Sequence, residues 1–361
     1  MIGAGVISGQ YVDTLPRYPG VRLAAIADLD QARAEAAAAG AAATNPGVRA
    51  LGVDELLSAA DIDLVLNLTI PAAHAEIDLR AIAAGKHVFG EKPLALDVES
   101  GAAVLAAASD AGVLVGSAPD TVLGTGVQTS RALLDSGAIG DPVGASVQWG
   151  SPGHELWHPA PQFYYQPGAG PMFDMGPYYL TALVTLFGPV VRVSGASARS
   201  ARDRTIATGP AAGTPLPVDV DTHVVALLEH ANGVISTVTV SFEQWATRMP
   251  LFEVYGTAGT ISVPDPNYFS GAPEVWTRDT SEWRSVEPLG GYPESGRGVG
   301  IADLAARHAA GLPPRASGAL ALHVLEIMES VLHAGRERMT VPITTTVERP
   351  DPVPLGEPAP S

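Results

Sequence analysis

Only two lysines stand beside nineteen arginines in this 361-residue chain, and one of them, Lys92, lies in Glu91-Lys92-Pro93, directly after the apolar run Lys86-His87-Val88-Phe89-Gly90. Arginine stays protonated at any working pH, whereas a partly buried lysine can give and take a proton. That contrast marks Lys92 as a candidate acid–base group; the alternative is a plain surface-loop lysine. A second cluster is His154-Glu155-Leu156-Trp157-His158, spelled like a zinc-hydrolase HExxH. Such chemistry needs both histidines on one helix face with the glutamate over a metal-bound water. Pro152-Gly153 before the pentapeptide and Pro159 and Pro161 after it deny that helix, so no metal is expected. With Phe163, Tyr164 and Tyr165 these residues read instead as an aromatic, imidazole-rich loop. From it His154, Trp157, His158 and Tyr165 are candidate contacts to a sugar-like ligand; the bland alternative is a packed interdomain loop.

A third constellation opens the chain. Met1-Ile2-Gly3-Ala4-Gly5-Val6-Ile7-Ser8-Gly9 fits a strand-to-helix turn in which the backbone of Gly3, Gly5, Val6 and Ile7 can approach a pyrophosphate. The third glycine of the GxGxxG pattern is displaced to Gly9. The apolar stretch 22–27 reads as the next strand, and Asp28 at its end can accept hydrogen bonds from ribose hydroxyls and repel a 2′-phosphate, which favours NAD over NADP. A βαβ unit with no nucleotide is the alternative. Only Met1 and Ile2 precede the turn, where a central strand uses about five residues. The first strand is therefore expected to be shortened or to begin upstream, which the intact mass of the protein from its natural source decides.

These residues need a scaffold, and the pattern supplies one. Asp63-Leu64-Val65-Leu66-Asn67-Leu68-Thr69 is a continuous apolar run of the buried parallel type, and Ile70-Pro71 breaks it before a helix over 72–84. That order puts Thr69 and Pro71 beside the glycine turn, with His74 in the helix's first turn as either a site residue or an ordinary helix start. A helix over 97–108 and a strand over 112–116 complete a strand–helix alternation, hence a doubly wound parallel sheet over residues 1–118. Beyond it the pattern changes. Helices are expected over 122–136 and 177–187, and strands over 143–149, 190–197, 221–229, 234–242, 251–255 and 260–263. Asn232-Gly233 and Ala258-Gly259 read as hairpin turns. Two late helices, 300–310 and 318–334, close a second α/β domain over 119–347 whose large open sheet is mostly antiparallel, with one face free for a partner subunit. A Pro-rich tail over 348–361 reads as extended.

The bulk composition narrows the partners. A formal charge of −17 argues against nucleic acid and anionic membrane surfaces. Zero cysteines exclude disulfides and thiolate chemistry and suit a reducing compartment. No leader-like segment and no run of about 18 apolar residues is present, so a cytoplasmic protein is expected.

The glycine turn with Asp28, Thr69-Ile70-Pro71 with His74, Glu91-Lys92-Pro93 and Gly168-Ala169-Gly170-Pro171-Met172-Phe173-Asp174-Met175-Gly176 together resemble the Gfo/Idh/MocA oxidoreductases, the glucose–fructose oxidoreductase and inositol dehydrogenase family, over nearly the whole chain. The resemblance implies an N-terminal Rossmann domain, a C-terminal sheet that often makes dimers or tetramers, and hydride transfer between a nicotinamide cofactor and a secondary alcohol of a sugar, cyclitol or related compound. It puts Lys92 against the nicotinamide ribose and the substrate hydroxyl, Glu91 on the cofactor side, and Asp174 in the place of the aspartate of the family's DxGxH motif. The sequence departs from that motif at its last position, where Tyr178 replaces histidine. Four residues apart at a helix start, Asp174 and Tyr178 are expected to face one pocket. Tyr178 then meets the substrate as an acid–base partner of Lys92, or only shapes the pocket. Two other functions stay open: glycoside cleavage with transient use of tightly held NAD, and a non-catalytic NAD-binding regulator.

Overall fold

A computed structural model describes residues 1–356; residues 357–361, the end of the expected Pro-rich tail, lie outside the described residues. In the first half, β1 (Ala25–Ile26), β2 (Arg49–Ala50), β3 (Leu64–Asn67), β4 (His87–Gly90) and β5 (Val115–Ser117) run parallel. Ile2 joins the two groups by bridging Ala27 on one side and Asn67 on the other. The spatial order is therefore β2, β1, Ile2, β3, β4, β5. Ile2 pairs with β3 through two bonds, Ile2 N donating to Leu66 O and Leu68 N to Ile2 O, both at 2.8 Å. Helices α1 (Ser8–Thr14), α2 (Gln31–Ala41), α3 (Val53–Ser58), α4 (His74–Ala83) and α5 (Val98–Ala111) make the crossovers. Asp97 starts α5 by accepting from Ser100 N, and left-handed Gly112 ends it. Covered on both faces, β3 and β4 carry the unbroken apolar runs that made them legible.

The second half contains α6 (Thr125–Asp135), β6 (Pro142–Gly150), α7 (Gly170–Asp174), α8 (Gly176–Phe187), β7 (Val190–Ala198), the ribbon β8 (Arg204–Thr205) and β9 (Pro215–Leu216), then β10 (His223–His230), β11 (Ile235–Ser241), β12 (Phe252–Gly256), β13 (Gly259–Ser262), β14 (Glu274–Thr277), β15 (Trp283–Ser285), α9 (Val299–Ala309), α10 (Gly318–Glu337) and β16 (Thr340–Pro342). Nine of these strands form one sheet in the order β15-β14-β13-β12-β6-β11-β10-β7-β16, antiparallel except where β6 pairs parallel with β11. Alternation is clean on β10: Val224, Ala226 and Leu228 are buried, whereas Val225 and Leu227 face out. α8 is buried along its whole length, and α10 packs on β7, α8 and α5, tying the halves together. No helix among the described residues is long and apolar enough to cross a membrane.

Three local expectations change. The helix expected over 122–136 breaks at Gly124, because the backbone of Phe269 passes so close that a Cβ there would lie 2.0 Å from its carbonyl oxygen. The edge strands β15 and β16, and β14 beside the first, are three or four residues long and poorly buried, so no alternating pattern marks them. The described part of the tail is extended but seated: Val353 is buried and its N–H donates to Gln128 Oε1 at 2.9 Å.

Behind β3, Asn67 Nδ2 donates to Asp78 Oδ1 at 2.7 Å, and burial pushes the Asp78 carboxyl up to about 7. A carboxyl whose pKa is higher folded than unfolded binds its proton more tightly in the native state. Its contribution to stability is complete below about pH 4 and is lost as pH rises toward 7. Buried Asp120, raised to about 6, adds to the same slope. Asp78→Asn should therefore flatten, though not abolish, the fall in unfolding free energy between pH 4 and 7, as measured by urea titration at each pH.

Candidate active site

The glycine turn is built by close approach. Gly3 has φ +100°, and a Cβ on it would lie 2.5 Å from Leu68 O, so no other residue fits. Gly5, by contrast, has open space where its side chain would be, beside the start of α1. Asp28 Oδ2 accepts from Ala4 N at 2.8 Å, which fixes the carboxylate against the turn, and Oδ1 accepts from Asp30 N. Arg33 lies 3.8 Å from the same carboxylate. Three apolar side chains near this turn are left in solvent: Val6 (97% exposed), Leu29 (99%) and Ile70 (70%). Only Val6 had been singled out; apolar character at a strand end gave no signal for Leu29 or Ile70. A turn with room at Gly5, an acidic group behind it and apolar side chains around it fits a dinucleotide.

Thr69 holds its own loop, since its N–H and hydroxyl both donate to Asn67 Oδ1. Pro71 starts the single 3₁₀ turn that leads into α4. His74 is buried, with Nδ1 2.7 Å from Pro93 O and Nε2 3.1 Å from Thr69 O. Its ring therefore ties the Thr69 turn to the residue after Lys92. Glu91 is buried beside the helix that follows the glycine turn. Its carboxylate turns inward to accept from Tyr11 Oη at 2.9 Å and lies 3.6 Å from Arg297.

Lys92 leaves the carboxyl end of β4 and points across the domain border. Its Nζ donates to the Asp174 backbone oxygen at 2.6 Å and to Asp174 Oδ1 at 3.0 Å, and it lies 5.4 Å from the centre of the Tyr178 ring. Burial pulls the Lys92 pKa down, but Asp174 and the Tyr178 hydroxyl outweigh it and hold the ammonium above its ordinary value. Burial likewise opposes ionisation of Asp174, yet Lys92 and His154 hold that carboxyl down to about 2.

Asp174 and Tyr178 both lie beside Lys92, but on two helices rather than one. Asp174 ends α7 and the chain restarts at Gly176 as α8, because a proline ring at 177 conflicts with the carbonyl four residues earlier in a continuous helix. Tyr178 instead accepts a hydrogen bond from Arg297 Nη2 at 3.0 Å. Arg297, 119 residues away in the chain, belongs to no motif and could not have been found from the sequence.

The loop after β6 divides in two. His154-Glu155-Leu156 form one 3₁₀ turn. His154 points inward, its Nε2 2.8 Å from Asp174 Oδ2. Trp157, His158, Phe163 and Tyr164 form an edge-on aromatic cluster, with Trp157 and Phe163 at least half exposed. Tyr165 packs inward, beneath the loop. It is fully buried, and its hydroxyl donates to Glu155, accepts from Arg204 Nη1 and receives His154 N–H at 2.9 Å. Glu155 is itself buried and paired with Arg204 and Arg202, while Arg204 also holds Glu243 at 2.6 Å. Glu155→Gln would leave Arg204 with one of its two carboxylate partners and should lower the unfolding free energy by about 3 kcal/mol, read from chemical denaturation.

Comparison with known proteins agrees with this layout. Residues 1–118 match the family profile described as "Oxidoreductase family, NAD-binding Rossmann fold" of GFO_IDH_MocA, and residues 127–262 match the GFO/IDH/MocA C-terminal domain. The chain is 33% identical over 147 residues to a 1,5-anhydro-D-fructose reductase of Ensifer adhaerens, covering 41% of this chain and 43% of that protein. It is 37% identical over 146 residues to inositol 2-dehydrogenase 3 of Saccharopolyspora erythraea, covering 40% and 42%. The matched stretch thus spans less than half the length of these relatives. In fold the likeness runs further: an NAD binding oxidoreductase from Klebsiella pneumoniae superposes over 95% of this chain and 97% of its own, with a TM-score of 0.78 at 22% identity. Two matched profiles in the right order, over a parallel sheet followed by an open antiparallel one, place the chain in the Gfo/Idh/MocA family of oxidoreductases.

Proposed function

We propose that this protein is an NAD-dependent dehydrogenase acting on a secondary alcohol of a sugar, cyclitol or glycoside, with Lys92 as the acid–base group. The observation that carries the reading is the Lys92 ammonium, delivered from the end of β4 onto Asp174 within one fold unit of the glycine turn. Gly3, Gly5, Val6, Ile7, Asp28 and Thr69 would hold the dinucleotide, whose nicotinamide supplies the hydride acceptor or donor. Lys92 keeps two of its protons on Asp174 and has the third for a substrate oxygen. A group held as an ammonium is ready to protonate a carbonyl oxygen during reduction, and in the other direction it takes the hydroxyl proton after losing its own. Tyr178, with Arg297 on its oxygen, has its hydroxyl hydrogen free for a ligand among the described residues. The Trp157–His158 rim offers aromatic faces and an imidazole to a polyol, in keeping with the sugar and cyclitol names of the relatives. Asp28 supports NAD over NADP. The absence of cysteine supports a cytoplasmic setting.

Titration with NADH and NADPH, followed by nicotinamide fluorescence, tests the cofactor half; NADH should bind much more tightly, and binding of neither would overturn the reading. Turnover of inositols, aldoses or glycosides should then fall about 100-fold or more in Lys92→Ala. Sugar release without added NAD would move the reading to redox-neutral glycoside cleavage.

The outer face of the large sheet exposes Val143, Val225, Leu227, Ile235 and Tyr255 among serines and threonines. We propose a second copy of the chain as its partner, in a dimer or tetramer. Sedimentation should give a mass above that of one chain, and Leu227→Glu should reduce it; a wild-type monomer would overturn this.

A further inference from the structure

The carboxylate of Asp174 serves two partners with its two oxygens. Oδ1 is 3.0 Å from Lys92 Nζ, and Oδ2 is 2.8 Å from His154 Nε2. Tyr178 does not compete for either oxygen, because its hydroxyl is turned to Arg297. The imidazole has no other polar outlet. Its Nδ1 is buried without a hydrogen-bond partner among the described residues, and the rings of Trp149, Trp157, Tyr164 and Phe242 enclose it. The backbone at His154 is pinned as well, since its N–H donates to Tyr165 Oη at 2.9 Å and the Tyr165 hydroxyl is held by buried Glu155 and Arg204. A ring fixed from behind by a buried ion network and aimed at one oxygen of a lysine's counter-ion is placed to act on that lysine.

We propose that the acid–base unit is the chain Lys92–Asp174–His154, in which His154 is a positioning residue whose charge state sets how tightly Asp174 holds the Lys92 ammonium. A neutral imidazole donates Nε2–H to Oδ2 and leaves the carboxylate charge to Lys92. An imidazolium shares that charge, loosens the hold on Lys92 and makes its proton easier to give up. The groups that face His154 are Asp174 from α7, Lys92 behind it, Glu155 and His158 on its own loop, Tyr164 against its ring, and Tyr165 with Arg204 beneath it. This inference rests on the proposed role of Lys92 for its catalytic meaning, but the coupling itself does not.

The test therefore has an arm that needs no substrate. In full-length protein carrying isotope-labelled histidine, the His154 resonance is assigned by its loss in His154→Gln, and its pH titration is followed by NMR in wild type, Lys92→Met and Asp174→Asn. The midpoint should move to higher pH in Lys92→Met, where a neighbouring positive charge is lost, and to lower pH in Asp174→Asn. If either variant fails to fold, the other carries the same test with the opposite sign; an unmoved midpoint in a folded variant overturns the coupling. In the second arm, His154→Gln keeps an N–H donor for Asp174 but cannot titrate. It should retain NADH binding, lose about 10-fold or more in kcat and lose the acid-side limb of the kcat pH profile; a profile of wild-type shape overturns the proposal. Absence of turnover in the wild type would sink the proposed function while leaving the NMR arm to decide the coupling.

Discussion

The structure turns on one ion pair between residues 82 apart in the chain, Lys92 at the end of a parallel strand and Asp174 at the end of a short helix in the other domain. Taking both charges out of water carries a cost that only good geometry and further hydrogen bonds offset. Those further bonds are present: Lys92 has a second acceptor in the Asp174 carbonyl, and Asp174 has a second donor in His154. Remove either charged partner and the other is left unpaired in a poorly solvated place. The pair therefore constrains every element that delivers it, from the His74 ring behind Pro93 to the break between α7 and α8.

Around that pair the two domains supply different things. The parallel sheet supplies strand ends that stop side by side, so that the glycine turn, Thr69 and Lys92 share one edge. The antiparallel sheet supplies a platform from which the loop after β6 bends over that edge, and α9 and α10 pack back onto the first domain. Gly298 N and Gly300 N both donate to buried Asp120 Oδ2, so the start of α9, and Arg297 just before it, is held by a residue just beyond β5. Tyr178 thus receives its guanidinium through a backbone contact that has nothing to do with the site.

What could be read in the sequence follows from how local each signal is. β3 and β4 were legible because strands buried on both faces are apolar throughout, and β10 and β11 because Asn232-Gly233 joins two alternating runs. Lys92 stood out by composition alone. Arg297, Leu29 and Ile70 did not, since an exposed hydrophobe or a lone arginine takes its meaning from neighbours far along the chain. Asp174 and Tyr178 sit on separate helices because Pro177 interrupts the spacing that a single helix would continue. Tyr165 was placed at the ligand for its company in the sequence, whereas its hydroxyl closes a buried network reaching to Arg204 and Glu155. His154 and His158 belong to a pattern that suggests a shared metal, yet the single 3₁₀ turn sends one inward to a carboxylate and the other to the rim.

One feature of the large sheet bears on how the molecule comes into being. β6 lies between β11 and β12, its partner in the parallel pair beginning at Ile235. Pairings between segments so distant in sequence are slow to form, because the intervening chain must lose its freedom before the contact repays it. During synthesis β6 emerges long before either neighbour exists, and the His154 loop that follows it has no platform until the β10–β11 hairpin arrives. The first domain can complete its glycine turn early, whereas the Lys92–Asp174–His154 cluster is assembled late. A nascent or partly refolded chain would then pass through a stage at which the glycine turn is formed and Lys92 has no counter-ion.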